Sequence, residues 1–369
     1  MTVYVTVKKK AIIDWSYVAV LTALCLLLLS YPNAMATGIS RGLSICSTVI
    51  IPTLYPFMLL AGLLANSPLC RHPGRITTAV TRRLFGLPGC CGPAILLSLV
   101  GGYPAGIIAI AQLQQRGQIS HDDTRRMTTF CINGGPGFII STVGAGLLGS
   151  VRAGILLYVS QVIVSIGIGI CLGHGHRWIP DTPSVALPPR KAIAHIVSDT
   201  CASLLTMCGF VVLAACGLSL AEGCGLSRGI AVAIGTETAT VSAILAAVTE
   251  VSCGCIALAG SGMLSPLWLG LTLSWGGLSV QGQLAAILPQ EHLINFRFWR
   301  WRLIHGVFSG SIALGLFTLF PIHRSTLSSN TAVIPYSVSV AATLMLLLLS
   351  FLAMLCFSNF SEKKTGNMS

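Results

Sequence analysis

Ser98-Leu-Val-Gly-Gly-Tyr-Pro-Ala-Gly106 and Cys131-Ile-Asn-Gly-Gly-Pro-Gly-Phe138 are the two stretches that decide the fold. They lie inside the apolar segments Pro93–Leu113 and Met127–Gly149. A proline in a helix interior costs roughly 3 kcal/mol, and a glycine about 1 kcal/mol, relative to alanine. The clustered glycines and prolines therefore predict that both helices are interrupted.

The composition indicates a membrane protein with several spans. The 369 residues are 54% hydrophobic and only 9% charged, whereas soluble domains carry about 25% charged residues. The net charge of +12 comes from lysines and arginines in short loops between apolar segments. This placement follows the positive-inside rule of membrane topology, so we interpret the charge as a topology signal and expect no nucleic-acid partner.

The basic loops predict an all-α polytopic protein with about eight transmembrane helices and two re-entrant hairpins. Pro93–Leu113 lies between two basic loops, so we expect it to enter and leave the membrane on the cytoplasmic side as the first hairpin. Ile230–Ala259 is the second predicted hairpin. The predicted spans are Ala11–Tyr31, Gly38–Ser67, Met127–Gly149, Ala153–Leu172, Asp199–Leu220, Leu264–Leu288, Trp301–Phe320 and Val333–Phe357.

The order of these segments predicts an inverted-topology repeat. Each half reads span, hairpin, broken span and span, but the first half starts outside the membrane and the second half inside. The expected divisions are an N-terminal transmembrane helix (1–35), repeat A (36–173), a cytoplasmic linker (174–198), repeat B (199–322), and a C-terminal transmembrane helix with a tail (323–369). Both termini are then cytoplasmic. Many secondary transporters have this architecture and bind their solute at the repeat interface.

Two acidic residues lie well inside apolar sequence, Glu250 and Glu237. A charge at the centre of a membrane helix costs about 2.5–3.5 kcal/mol on insertion scales and usually has a function. Both glutamates are therefore candidates for proton coupling, and Glu250, beside the predicted break near Gly254, is also a candidate for solute binding. The alternative is a carboxyl group that stays protonated, or one that only caps a half-helix by accepting backbone N–H bonds.

The interruptions supply neutral polar groups for a solute. Asn133 can donate and accept hydrogen bonds, and Ser274, Ser279 and Gln281 hold corresponding positions in the second half. No arginine or lysine lies within the broken segments. An anion would then rely on helix N-termini, which offer free N–H groups and the positive end of the helix dipole.

Enzyme and metal sites are not expected. The sequence contains no His-x-x-Glu-His or Gly-x-Ser-x-Gly element and no phosphate-binding loop, so no catalytic residue is predicted. The cysteines have no Cys-x-x-Cys spacing, and most of them lie within apolar runs. We therefore predict no enzyme activity, no structural metal and no cofactor.

Five motifs occur in one order and resemble the sporulation integral membrane protein YlbJ family, within the wider nucleoside-recognition or Gate domain group. They are Pro52-Thr-Leu-Tyr-Pro-Phe57, Gly102-Tyr-Pro-Ala-Gly106, Asn133-Gly-Gly-Pro-Gly-Phe138, Glu250-Val-Ser-Cys-Gly254 and Trp275-Gly-Gly-Leu-Ser-Val-Gln281. The similarity spans roughly residues 38–320. The chain departs from the family pattern at Ile132, Trp275 and Gln281, which leaves the exact ligand open.

This resemblance implies an architecture similar to concentrative nucleoside transporters. It also implies a role in moving dipicolinate across the outer forespore membrane during endospore formation. By resemblance, the solute-binding positions are Gly102, Tyr103, Pro104, Asn133, Gly135, Pro136, Glu250, Gly276, Gly277 and Gln281. We add Ser274 as a further solute-binding candidate, because it lies in the corresponding interruption of the second half.

The leading hypothesis is a transporter of a small, planar, anionic solute, with dipicolinate favoured. One alternative is a transporter of nucleosides or other neutral solutes. The other is a membrane scaffold of a sporulation complex that transports nothing. The expected partners are the solute and membrane lipids; the sequence leaves the oligomeric state, the coupling ion and the direction of transport open.

Overall fold

A computed structural model describes residues 18–19, 21–22, 25–66, 75–174, 192–288 and 293–321. This part of the chain is helical and contains no strand. The helices are α1 (Pro32–Ile45), π1 (Cys46–Ile50), α2 (Ile51–Ala65), α3 (Arg75–Phe85), α4 (Cys91–Gln115), α5 (His121–Phe130), π2 (Gly137–Leu147), α6 (Val151–Gly173), α7 (Ile193–Gly223), α8 (Leu226–Ile234), α9 (Thr238–Thr249), α10 (Val251–Gly260), α11 (Pro266–Trp275), α12 (Gly277–Ile287) and α13 (Phe296–Leu319).

Five helical segments of this part are long and apolar enough to cross a membrane. They are Pro32–Ala65, Cys91–Gln115, Val151–Gly173, Ile193–Gly223 and Phe296–Leu319, and the bent pair α8–α9 makes a sixth if it is counted as one span. The predicted span Val333–Phe357 and about half of Ala11–Tyr31 lie outside the described residues. The all-helical membrane class is thus confirmed, while the number of eight spans remains a prediction.

Helix α4 turns back on itself at Gly102. The φ and ψ angles of Gly102 are 77° and −163°, outside the helical range. A Cβ atom on Gly106 would lie 2.9 Å from the Cβ of Ser98, although residues eight apart in a straight helix are separated by about 12 Å along the axis. The two halves of α4 therefore lie side by side, and the segment does not have the shape of a straight span.

Helices α9 and α10 form a second doubled-back segment, with its turn at Glu250. This residue has extended backbone angles, φ −151° and ψ 136°. A Cβ atom on Gly254 would lie 2.4 Å from the Cα of Ala247, so only glycine permits this approach of the two helices. On the other side, α8 and α9 meet at a bend of 116°. The segment predicted at Ile230–Ala259 thus contains three helices.

Two further helices are interrupted. Residues 131–135 between α5 and π2 are not helical, and Gly276 separates α11 from α12. These breaks lie within the stretches Cys131–Phe138 and Trp275–Gln281 that the sequence analysis quotes. We call residues 131–136 the first break and residues 276–277 the second break. We call the turns at Gly102 and Glu250 the first and second tips.

Glycines bring several of the long helices into close contact. A Cβ atom on Gly270 of α11 would lie 2.3 Å from the Cα of Gly310 in α13. A Cβ atom on Gly38 of α1 would lie 2.7 Å from the Cα of Cys216 in α7. Small residues at such crossings are typical of membrane helices, because van der Waals packing drives their association. These contacts hold the helices that surround the tips and the breaks.

Candidate functional site

The first tip lies against the first break. A Cβ atom on Gly102 would lie 2.9 Å from the backbone N of Gly135, and a Cβ atom on Gly135 would lie 3.2 Å from the Cα of Gly102. The positive φ of Gly102 also disfavours any side chain there. The first tip can therefore pack on the first break because both contacting residues, Gly102 and Gly135, lack a side chain.

The second tip lies against the second break in the same manner. A Cβ atom on Gly277 would lie 2.8 Å from the Cα of Glu250 and 2.8 Å from the carbonyl oxygen of Thr249. Gly277 has a φ of 74°. The tip of each doubled-back segment thus packs on the break of the helix that follows that segment in the sequence.

Tyr103 connects the first tip to both breaks. Its hydroxyl donates a hydrogen bond to the carbonyl oxygen of Leu273 in α11. A Cβ atom on Gly134 would lie 3.3 Å from the Tyr103 hydroxyl oxygen, and a Cβ atom on Gly276 would lie 3.5 Å from Tyr103 Cε1. Tyr103 is 4% exposed. Its ring is therefore the centre of the contact between the two halves of the chain.

A small cavity lies between the tips and the breaks. Its volume is about 20 Å³, which is room for a single water molecule. The residues that line it come from both halves of the chain: Ile50, Leu54, Gly102, Tyr103, Pro104, Gly135, Phe138, Met207, Val211, Glu250, Val251, Ser252, Ser279, Val280 and Gln283. The cavity is therefore too small for a molecule larger than water.

Four half-helices begin at this cavity. The second half of α4 starts with Tyr103 and Pro104, π2 with Gly137 and Phe138, and α10 with Val251 and Ser252; the fourth, α12, brings Ser279. Helix N-termini have unpaired N–H groups and a partial positive charge. Their convergence makes the cavity favourable for negative charge.

Glu250 supplies a carboxyl group at the same place. It is 2% exposed, and its Oε2 accepts a hydrogen bond of 2.7 Å from the backbone N–H of Cys253. Glu250 therefore caps α10. Among the described residues, no lysine or arginine forms a salt bridge with it.

Comparison with known proteins adds one relative. The chain is 25% identical over 315 residues to the sporulation integral membrane protein YlbJ of Bacillus subtilis (strain 168). The aligned region covers 76% of this chain and 77% of the relative. The chain is similar to YlbJ, as its motifs predicted. Together with the long apolar helices, this similarity shows an integral membrane protein.

Two other comparisons returned nothing. No protein-family model matches the chain, and no solved structure matches it significantly. The YlbJ resemblance is therefore confirmed by the curated relative alone, and membership of the wider Gate domain group stays a prediction.

Most of the predicted site residues come together. Gly102, Tyr103, Pro104, Gly135 and Glu250 line the cavity. Their neighbours Asn133, Pro136, Gly276 and Gly277 form the two breaks.

The side chain of Asn133 forms hydrogen bonds at the first break. Its Nδ2 donates to the carbonyl oxygen of Phe130 at 2.8 Å and to the hydroxyl of Ser165 at 3.0 Å. Its Oδ1 is buried and has no hydrogen-bond partner. One side of this amide thus stabilises the break, while the other can still accept a hydrogen bond.

Three other predicted residues belong neither to the cavity lining nor to the two breaks. Ser274 donates to Gln161 Oε1 at 2.9 Å, and Gln281 Oε1 accepts from the indole N–H of Trp299 at 3.0 Å. Glu237 is exposed at the start of α9 and forms no side-chain capping bond. Ser279, which was also named from the sequence, and Gln283, one turn further along α12, line the cavity.

The structure also shows a buried polar cluster that the sequence interpretation missed. Arg302, His305 and Ser309 lie on one face of α13 and are at most 1% exposed. Arg302 Nη1 donates to the carbonyl oxygen of Ile132 at 2.7 Å, and His305 Nε2 lies 3.1 Å from the carbonyl oxygen of Gln161. Their spacing of three, four and seven residues in an apolar helix was the signal that could have identified them.

The apolar walls of the cavity were missed as well. Ile50 and Leu54 come from π1 and α2, and Met207 and Val211 come from α7. These helices are far from the breaks in the sequence, and of the four residues only Leu54 lies in a quoted motif, Pro52–Phe57. They give the site two apolar sides between its polar tips.

Proposed function

We propose that the chain is a membrane transporter of a small, planar, anionic solute, and that dipicolinate is its substrate. One observation carries this proposal: the cavity is lined by the first turns of four half-helices contributed by both halves of the chain. Half-helix N-termini that point at an anionic group are a recurring device of secondary transporters. A scaffold has no need of such a buried, interrupted backbone.

The proposed architecture is an inverted repeat. The first half runs α1–α2, the doubled-back α4, the broken α5–π2, and α6. The second half runs α7, the doubled-back α9–α10, the broken α11–α12, and α13. The matching order, and the matching contacts of Gly102 with Gly135 and of Gly277 with Glu250, support this proposal. With the positive-inside rule, it gives two re-entrant hairpins that open to opposite sides, eight spans and cytoplasmic termini.

The chemistry of the cavity agrees with dipicolinate. This molecule is a flat pyridine ring that carries two carboxylates. The ring matches the apolar walls formed by Ile50, Leu54, Met207 and Val211, and the carboxylates match the half-helix N-termini. The relative is named a sporulation integral membrane protein, which agrees with a solute of endospore formation and with the outer forespore membrane as the location.

The transport cycle follows from the closed state. Since the cavity holds only about 20 Å³, solute access requires one tip to separate from its break. We propose that the two tips open alternately, and that Glu250 gains a proton when an anion occupies the site. Such alternating access moves one part of the protein against the other around a fixed site.

A neutral solute is the second candidate, and Glu250 is the observation that favours it. An ionised carboxylate in the cavity would repel an anion, whereas it would accept a hydrogen bond from a nucleoside hydroxyl. Dipicolinate and nucleosides are therefore compared directly in the test.

The test is uptake by proteoliposomes that contain the purified full chain. We expect saturable dipicolinate flux that excess unlabelled dipicolinate inhibits and adenosine or uridine does not. Nucleoside flux with no dipicolinate flux would reject the proposed substrate and support the neutral-solute alternative. No flux of either solute, from protein that remains monodisperse, would support the scaffold.

A further inference from the structure

We infer that Arg302 is the residue that selects for an anionic solute, and that its unpaired nitrogen Nη2 binds a solute carboxylate during transport. This inference rests on the proposed transport function and goes beyond it, because it assigns the positive charge of the site. The sequence interpretation had found no cation in the broken segments. Arg302 reaches the first break from a different helix, α13.

Arg302 is buried without a negative partner. Its side chain is 1% exposed, and among the described residues it forms no salt bridge. A guanidinium group remains protonated in proteins. A buried charge without a counter-charge is strongly unfavourable, and such residues inside membrane helices usually mark a solute path. A bound anion would supply the missing charge.

The guanidinium group has hydrogen-bonding capacity to spare. Nη1 donates to the carbonyl oxygen of Ile132 at 2.7 Å, whereas Nη2 is buried and has no hydrogen-bond partner. The two terminal nitrogens of arginine match the two oxygens of a carboxylate. A residue that served only to satisfy the Ile132 carbonyl would leave this second nitrogen unexplained.

The location of Arg302 connects it to the cavity. Ile132, which it binds, lies three residues before Gly135, and Gly135 lines the cavity. Tyr103 also lines the cavity, and its hydroxyl lies beside Gly134 of the same break. The unpaired Oδ1 of Asn133 belongs to the same break. Because Arg302 is not among the residues that line the cavity in this closed structure, the first tip must move away from the first break before Nη2 can meet the solute.

Arg302 is the one buried arginine of α13. The buried polar neighbours of Arg302 on α13 are His305 and Ser309, which bond to Gln161 on α6. Arg297 and Arg300 of the same helix are exposed. Arg302 is thus the arginine of α13 that is placed to meet a solute in the interior, and Arg297 is a matched control.

The experiment compares the KM for dipicolinate in proteoliposomes of the wild type, Arg302→Gln, Arg302→Lys and Arg297→Gln. We expect Arg302→Gln to raise the KM at least tenfold, Arg302→Lys to restore part of the affinity, and Arg297→Gln to leave it unchanged. An unchanged KM in Arg302→Gln would overturn the inference while leaving the proposed transport intact. Absence of wild-type flux would instead refute the proposed function.

A second measurement needs no variant, in case Arg302→Gln does not fold. The wild type is offered dipicolinate and its neutral diamide, which has the same ring and nearly the same shape. We expect the carboxylate form to be transported with a KM at least tenfold lower. Equal KM values for the two compounds would contradict a charge-selecting arginine.

Discussion

Tyr103 is the side chain through which the first tip contacts both breaks. Its hydroxyl donates to the carbonyl of Leu273, which lies in the last turn of α11. Carbonyl groups in the last turn of a helix have no partner within the helix. Tyr103 therefore satisfies a buried acceptor at the second break while its own backbone forms the first tip.

The substitution Tyr103→Phe removes that bond and keeps the ring. We expect a loss of stability of about 1–3 kcal/mol, because a buried acceptor is left unpaired, together with a marked loss of flux. Tyr158→Phe is the matched control, since its hydroxyl donates to the Leu99 carbonyl at 2.9 Å outside the cavity lining. Thermal unfolding and flux are measured for both variants. Equal flux in the two would contradict the central role of Tyr103.

The residues that mark the tips and breaks were predictable, whereas those that complete the site were not. Gly102, Asn133, Glu250 and Gly276 stand out because glycine, proline or an acid interrupts an apolar run. The spacing of Arg302, His305 and Ser309 marks a polar face of α13, but it does not identify the partner of Arg302, Ile132, which lies 170 residues away. The sequence placed Gln281 in the site, but Gln283 lines the cavity; the two lie about 200° apart on α12, and only tertiary packing decides which faces inward.

At the scale of elements, the doubled-back segments depend on close backbone contacts. The first tip requires a positive φ at Gly102 and a close approach to Gly135. The second requires Gly277 against Glu250. Glycine clusters predicted where each segment is interrupted. They did not predict that each tip would contact the break that follows it, because this depends on how the helices pack.

Gly102→Ala tests the first of these contacts. A non-glycine residue at such backbone angles costs about 1–3 kcal/mol, and the added methyl group would lie 2.9 Å from Gly135 N. We expect a lower unfolding temperature and loss of flux. Gly167→Ala on α6 is the control, because nothing lies within 4 Å of its added Cβ atom; it should be neutral or slightly stabilising. Wild-type stability and flux in Gly102→Ala would show that the tip is not a constrained contact.

At the scale of the whole molecule, the proposed inverted repeat makes a topological prediction. Gly117 follows α4 and Gly262 follows α10; both are exposed, and nothing lies within 4 Å of an added Cβ atom. Epitope tags inserted after these two residues should be accessible from opposite sides of the membrane. Antibody binding to intact and permeabilised cells measures this. Accessibility of both tags from the same side would contradict the inverted arrangement.

The central claim is that solute passes through the cavity between the tips and the breaks. The most direct test is saturable dipicolinate flux in proteoliposomes of the wild type, Glu250→Gln and Glu237→Gln. Glu250 is buried in the cavity lining, while Glu237 is exposed at the start of α9. We predict that Glu250→Gln abolishes flux with membrane insertion intact, and that Glu237→Gln retains it. Wild-type flux in Glu250→Gln would contradict the claim.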